Sequence, residues 1–160
     1  MAQPKGLTLA LYKGTRTGLQ GIYSRLTRLL DRGPYSHCEL IFADGMSASA
    51  SFLDGGVRFK RIEYLTQGNW DFLTLPDARG VLEPMARDWF TAHEGARYDL
   101  WGNLRFATGF ARDASDRWFC SEAVMAALGF AEAYRYGPSG MATVLKHHFQ
   151  TDFLTSGVHP

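Results

Sequence analysis

Residues 117–128 read RWFCSEAVMAAL, a stretch that joins an aromatic, strand-like run to a run of small and apolar residues typical of a helix. Cys120 stands at the junction, where the helix is predicted to begin. A cysteine in that position is compatible with packing, a disulfide, a metal ligand or a nucleophile. Its role depends on the groups that the rest of the chain brings to the sulfur.

The chain before this stretch consists mainly of strand-like segments separated by turns. Asp44–Gly45 is a strong hairpin signal, and Asp54, Gly55 and Gly56 form a second turn. The alternation of apolar and polar residues between the turns predicts strands over residues 7–13, 37–42, 46–52, 57–64 and 70–75.

One helix is predicted within this strand-rich half, from Ile22 to the breakers Gly33 and Pro34. Its apolar residues recur at helical spacing, and its outer face is predicted to be basic and solvated. The apolar positions are Ile22, Leu26, Leu29 and Leu30.

After Pro76 the periodicity becomes helical. We predict helices over residues 83–92, 96–110, 120–128 and 138–148, with Asp99 as an N-cap in the second and Gly129 ending the third. A run of antiparallel strands followed by a run of helices predicts one α+β domain over residues 1–160.

Composition and charge exclude several classes of protein. Hydrophobic residues make up 46% of the chain, charged residues 21%, and the formal net charge is +1. This balance gives no field that would attract nucleic acid, and no apolar run approaches the ~20 residues of a membrane span. With no signal peptide recognised, we expect a cytoplasmic protein of a bacterium or of a bacterial virus in its host, without stable membrane insertion. Lacking a recognisable amphipathic anchor, a membrane-surface lipid enzyme ranks last.

The two cysteines, Cys38 and Cys120, are too few for a disulfide framework. The chain contains no CxxC, HExxH, GxxxxGK[ST] or GxGxxG pattern. We therefore expect no bound metal and no cofactor.

Cys120 is a candidate nucleophile because a helix N-terminus favours the thiolate, the reactive form of cysteine. Backbone N–H groups of Ser121 and Glu122 would point toward its sulfur, and backbone N–H groups there are suited to binding an oxyanion. A cysteine that starts a helix is, on its own, more often a packing residue. The hypothesis therefore needs a base elsewhere in the chain.

His37 is the candidate base. Side chains alternate along a strand, so His37 and Glu39 share one face while Cys38 shares the other with Leu40 and Phe42. That second face is predicted to be core, which makes Cys38 a small buried hydrophobe. Taken alone, His37 is more often a surface histidine at a strand end.

A catalytic imidazole needs a partner on its second nitrogen. Glu39 lies about 6.5 Å along the same strand face. Ser49 and Ser51, on the predicted return strand, are alternatives across the hairpin. Spacing alone does not choose between the glutamate and a serine.

Three motifs in this order resemble a known family. Ser36–His37 opens a strand, Tyr98–Asp99 follows, and Phe119–Glu122 reads FCSE. The set resembles the circularly permuted papain-like enzymes of the NlpC-type cysteine peptidase superfamily, in the YaeF/YiiX-like amidase branch, in which the histidine strand precedes the cysteine helix. Many relatives carry a glutamate or histidine on the strand after the histidine strand, where this chain has SASAS over residues 47–51.

The resemblance implies an antiparallel sheet or half-barrel packed against helices. It also implies a thiol hydrolase, a cysteine peptidase or amidase, that cleaves a peptide-type amide, for example in a cell-wall-type peptide, through an acyl-enzyme. Cys120 would be the nucleophile, His37 the general base and Tyr98 an oxyanion partner. The alternatives are an inactive binding module of the same fold, and an acyltransferase or lipid deacylase acting on an acyl substrate.

Overall fold

The computed structural model of the chain describes residues 6–15, 17–64, 69–77, 79–100 and 116–155. Within them the strands are β1 (Leu7–Tyr12), β2 (His37–Ile41), β3 (Ser47–Ser51), β4 (Gly56–Lys60), β5 (Trp70–Leu75), β6 (Arg97–Tyr98) and β7 (Arg117–Trp118). The helices are α1 (Gly18–Leu30), α2 (Leu82–Ala92), α3 (Cys120–Ala127) and α4 (Pro138–Thr155), with a 3-10 turn at Ala133–Arg135.

The seven described strands form one sheet in the order β5-β1-β2-β3-β4-β6-β7. Their pairing is antiparallel throughout, except that β6 and β7 run parallel. The predicted α+β class is confirmed: the sheet is mixed and open, and the helices follow most of the strands along the chain.

Residues 97–98 correct the predicted helix over 96–110, because they form β6 instead. The backbone of this segment lies against β4, where the Val57 N–H donates to the Ala96 carbonyl at 2.8 Å. A side chain at Gly56 would collide with that carbonyl, so the approach requires glycine there. The part of the predicted helix over residues 101–110 lies outside the described residues.

The core lies on the face of the sheet that carries Cys38, Leu40 and Phe42, as the alternation along β2 predicted. Helix α3 packs there against β2 and β3. Nearly every residue of α3 is buried, including the fully buried Val124 and Met125. The apolar composition of residues 120–128 therefore reflects burial on almost all sides of the helix.

Helix α1 has the opposite orientation to the predicted one. Three of its four predicted apolar residues face solvent, with exposed fractions of 64% for Ile22, 39% for Leu26 and 73% for Leu29, and Leu30 is half-buried. The buried positions are Ser24 and Thr27 instead. The prediction of an apolar inner face was therefore wrong, whereas the exposed Arg25 agrees with the predicted basic outer face.

Polar contacts explain this rotation of α1. The Arg28 guanidinium donates to the carbonyls of Lys13 and Gly14 at 2.8 and 3.3 Å, which ties one side of the helix to the loop after β1. The Thr27 hydroxyl donates to the Tyr23 carbonyl at 3.0 Å, so that it is buried without losing a hydrogen bond. These contacts fix the helix with its aliphatic side outward.

Among the helices that the structure describes, none combines the length and hydropathy of a membrane-spanning segment.

Candidate active site

Cys120 is the first residue of α3 and is completely buried. The preceding residue, Phe119, has an extended backbone, and its N–H donates to the Glu122 carboxylate at 3.3 Å. The Ser121 hydroxyl donates to the Tyr136 carbonyl at 2.6 Å. These bonds hold the first turn of the helix, and so fix where the sulfur lies.

The sulfur of Cys120 lies where β2 and β3 separate. The register between the two strands is given by Leu40 opposite Ala48 and Ile41 opposite Ser47. Closer to His37, β2 stays paired with β1, and the backbone of Cys38 is near enough to the Cys120 sulfur to help lower its pKa. Cys120, on the core side of the sheet, therefore lies near the end of β2 that carries His37.

The side chains of His37 and Cys120 lie near enough to each other for each to shift the pKa of the other. Burial by itself raises the pKa of the Cys120 thiol, but hydrogen bonds from Cys38 and His37 and the charge of His37 reverse the shift and lower it to about 6. Burial opposes the charged imidazole of His37, yet its bonds to Cys120 and Glu39 raise its pKa to about 9. Both directions favour a thiolate–imidazolium pair near neutral pH.

Cys38 is fully buried in the core, as predicted, but it also takes part in the site. Burial raises the pKa of the Cys38 thiol, and the nearby charge of Cys120 raises it further. Cys38 therefore stays protonated and can donate to the Cys120 sulfur. The sequence interpretation assigned it to packing alone, and its position next to His37 was the available signal.

Glu39 is the predicted orienting candidate that the fold brings to His37. Its Oε1 lies 2.9 Å from the Nε2 of His37, which leaves Nδ1 as the ring nitrogen for Cys120. The carboxylate is 1% exposed. Burial would raise the pKa of Glu39, but the hydrogen bonds from Arg58 and His37 lower it below its usual range.

Arg58 is the residue that the sequence analysis missed. Its two terminal nitrogens donate to the two Glu39 oxygens at 2.7 and 2.5 Å, and its Nε donates to Asp54 at 2.8 Å. Lys60 also binds Asp54, at 2.8 Å. A buried carboxylate needs such a cation to stay ionised. The available signal in the sequence was the position of Arg58 on the polar face of β4.

The two serine candidates make other contacts. The Ser49 hydroxyl donates to the carbonyl of Cys38 at 2.7 Å and to that of Ala50 at 3.3 Å. Ser51 is near Asp54 and helps to lower the pKa of that carboxyl. Ser49 thus supports the strand next to the site, and the contacts of the described residues connect neither serine to the imidazole.

Tyr98 lines the cleft beside His37 and is near enough to Cys120 for the charge of the sulfur to act on its phenol. Its hydroxyl is 3.0 Å from that of Tyr23 on α1, and its ring packs on Phe52 and Phe119. Burial raises the pKa of the Tyr98 phenol, and the charge of Cys120 raises it further. The phenol therefore remains protonated and is a donor beside the thiolate.

A cleft opens next to His37, between α1, the turn after β3 and the end of the sheet. The imidazole side chain is 16% exposed, whereas the Cys120 sulfur behind it is buried. Ser36 is 5% exposed, and its hydroxyl has no hydrogen-bond partner in the part of the chain that the structure describes. The lining residues are Tyr12, Tyr23, Ser24, Ser36, His37, Ser51, Phe52, Leu53 and Tyr98.

The described residues contain no cluster of three or more His, Cys, Asp or Glu side chains arranged to hold a metal ion. Comparison with known proteins finds no protein-family match for the chain and no curated protein of similar sequence. The site must therefore be interpreted from its own geometry.

Proposed function

We propose that the protein is a circularly permuted papain-like thiol hydrolase that cleaves a peptide-type amide through a Cys120 acyl-enzyme. The observation that carries the proposal is the continuous chain of contacts Cys120–His37–Glu39–Arg58. Each ring nitrogen of the histidine has a partner of the kind that nucleophilic catalysis uses: a thiol on one side and a buried carboxylate on the other.

Acylation begins from the thiolate–imidazolium pair. The Cys120 sulfur attacks the carbonyl carbon of the substrate, and the carbonyl π electrons move to the oxygen. The Tyr98 hydroxyl and the backbone N–H at Cys120 donate to that oxygen. When the intermediate collapses, the C–N bond breaks, and the proton of His37 goes to the departing amine.

Deacylation reverses the role of the histidine. Neutral His37 takes a proton from water as the water oxygen attacks the thioester carbon, and the C–S bond then breaks. The products are a carboxylic acid and the regenerated thiolate beside imidazolium. Throughout, Glu39 holds Nε2 and stabilises the positive ring, while Arg58 keeps Glu39 ionised.

A second function, acyl transfer or lipid deacylation by the same thiol, is favoured by the cleft walls. Tyr23, Phe52 and Leu53 give the cleft an apolar rim. An amine or alcohol taking the place of water would convert hydrolysis into transfer with the same residues. Comparing p-nitrophenyl esters of short and long acyl chains with peptide amides distinguishes these activities.

The rival hypothesis, a binding module without turnover, is favoured by the complete burial of the Cys120 sulfur. Catalysis requires the cleft to open past His37, and α1 and the Phe52–Leu53 turn are the elements that border this path. A binding module needs no such opening. The two hypotheses therefore differ in whether the sulfur reacts in the folded protein.

The test is alkylation of the folded protein by iodoacetamide over a range of pH values, with the extent of labelling measured by mass spectrometry. A Cys38→Ser variant makes Cys120 the only cysteine of the chain. In this variant we expect labelling to rise with a midpoint well below pH ~8.5, and to weaken in Cys38→Ser/His37→Ala. Labelling that rises only near pH ~8.5, or none in the folded state, rejects the thiolate pair.

Turnover is tested separately with p-nitrophenyl acetate. An active enzyme gains the mass of one acetyl group on Cys120 and then loses it by hydrolysis. Cys120→Ser serves as the inactive control. A reactive thiol that never forms the acetyl-enzyme would support the binding module instead.

A further inference from the structure

The outward face of α1 is an unusual feature of the surface. Ile22, Leu26 and Leu29 are spaced four and three residues apart, which places them on one side of a helix. All three are exposed, and Ile22 and Leu29 are more than half exposed. They form a continuous aliphatic stripe along the helix rather than isolated surface residues.

A turn of the sheet that contacts α1 through Tyr23 carries two further exposed apolar side chains. Phe52 and Leu53, between β3 and β4, are 46% and 51% exposed. The Phe52 ring packs 6.2 Å from that of Tyr23 on α1, which joins the turn to the helix. We call Ile22, Leu26, Leu29, Phe52 and Leu53 the apolar face.

The charged residues of α1 are all basic, and Asp31, which caps the helix, accepts a hydrogen bond from the Ser139 N–H. Arg25 and Arg32 are exposed, and α1 contains no acidic residue, although the whole chain has a net charge of only +1. Asp54 follows Leu53, but Arg58 and Lys60 each bind it at 2.8 Å. The apolar face therefore has a locally positive border.

We propose that the apolar face docks peripherally on an anionic lipid bilayer. Aliphatic and aromatic side chains on one side of a helix enter the boundary of headgroups and acyl chains, while flanking arginines bind the anionic headgroups. A second copy of the chain is a poorer occupant, because a symmetric contact would bring two sets of arginines together without an acid on either helix.

Docking in this orientation would place the cleft next to the bilayer. Tyr23 and Phe52 belong both to the cleft wall and to the contact between α1 and the turn. A role in delivering a membrane-borne acyl substrate would rest on the proposed function. The docking itself does not, and it is tested by binding alone.

The experiment is co-sedimentation of the full chain with vesicles of phosphatidylcholine, or of phosphatidylcholine mixed with phosphatidylglycerol. We expect binding to the anionic vesicles, weak or no binding to the neutral ones, and release by high salt. The double variant Ile22→Ser/Leu29→Ser should bind about tenfold more weakly or less. Arg25→Gln should weaken only the salt-sensitive part of binding.

Val81→Ser is the matched control. Val81 is an exposed aliphatic residue, at 55%, and lies at the start of α2. Glu83, in the same turn, accepts a hydrogen bond from the Ala43 N–H. Ala43 follows the end of β2 opposite to His37, so Val81 lies at the other end of this strand from the cleft. The control should bind like the wild type, and circular dichroism checks that each variant is folded.

Three outcomes would overturn the proposal. One is the absence of binding to anionic vesicles, and another is equal loss of binding in Val81→Ser and in the double variant. The third is a dimer in sedimentation velocity that Ile22→Ser/Leu29→Ser abolishes, which would make the apolar face a contact between copies. Loss of vesicle binding in the folded double variant, with p-nitrophenyl acetate turnover retained, supports docking independently of the thiol chemistry.

Discussion

Helix α3 is buried on almost every side and begins at the buried Cys120, whereas α1 turns Ile22, Leu26 and Leu29 toward solvent and lines the cleft beside His37. In α3, apolar composition and burial agree. In α1, the hydrogen bonds of Arg28 to two loop carbonyls fix the helix in the other rotation. The position of one polar contact can therefore outweigh the amphipathic pattern of a short helix.

The difference also separates two kinds of contribution. Residues of α3 hold the sulfur within the core, so they contribute to stability as well as to the site. The outward residues of α1 contribute little to folding, because they stay in water. They are therefore available to bind a partner.

The largest effect we expect is on stability, from truncating one buried residue. Met125→Ala in α3 removes a fully buried side chain and should lower the free energy of unfolding by about 2–5 kcal/mol. Leu29→Ala in α1 should change it by no more than about 0.5 kcal/mol, because that side chain is 73% exposed. Urea denaturation of both variants measures the two effects.

Equal losses in the two variants would contradict the comparison, since they would mean that Leu29 is buried in solution. A change in the slope of the denaturation curve would point instead to a change in the unfolded state.

Much of the site could be predicted because strand alternation is a local rule. The period of two along β2 puts Cys38 in the core and His37 beside Glu39, and the structure has this arrangement. Arg58 could not be predicted in the same way. Its contact with Glu39 depends on the register between β3 and β4, which sets Arg58 opposite Ser49, two strands away from β2.

The rotation of α1 and the strand at Arg97–Tyr98 also depend on distant parts of the chain. The first is fixed by carbonyls of the loop after β1, and the second by pairing with Gly56 and Arg117. The helical pattern of each segment is local, so it does not show these contacts with distant residues. The sequence therefore predicts which residues have suitable chemistry more securely than which helix face turns inward.

The next effect is on catalysis, from removing the carboxylate charge. Glu39→Gln keeps the shape but loses the ion pair with His37, and the rate of p-nitrophenyl acetate turnover should fall by about a hundredfold or more. The imidazolium loses a stabilising charge, so the pKa of His37, about 9 in the wild type, should fall. The alkaline limb of the pH–rate profile should then move to lower pH.

The shift of the alkaline limb shows whether Glu39 positions His37 or only supports the fold. If Glu39 only supports the fold, its replacement should lower the stability and leave the limb in place. Arg58→Lys is a matched control, since it keeps a cation next to Glu39 but loses the bidentate geometry. It should show a smaller shift in the same direction.

The smallest effect we expect concerns the donor on the core side of the sulfur. Cys38→Ala removes the thiol that helps lower the pKa of Cys120 and leaves the backbone N–H, so this pKa should rise above its value of about 6. A hydrogen bond to a charged group corresponds to a shift of about one to two pKa units. The iodoacetamide profile should move to higher pH by that amount, whereas Cys38→Ser, which keeps a hydroxyl donor, should move less. Identical profiles in the alanine and serine variants would mean that the N–H and His37 alone hold the thiolate, and Cys38 would then be a packing residue of the core, as the sequence had suggested.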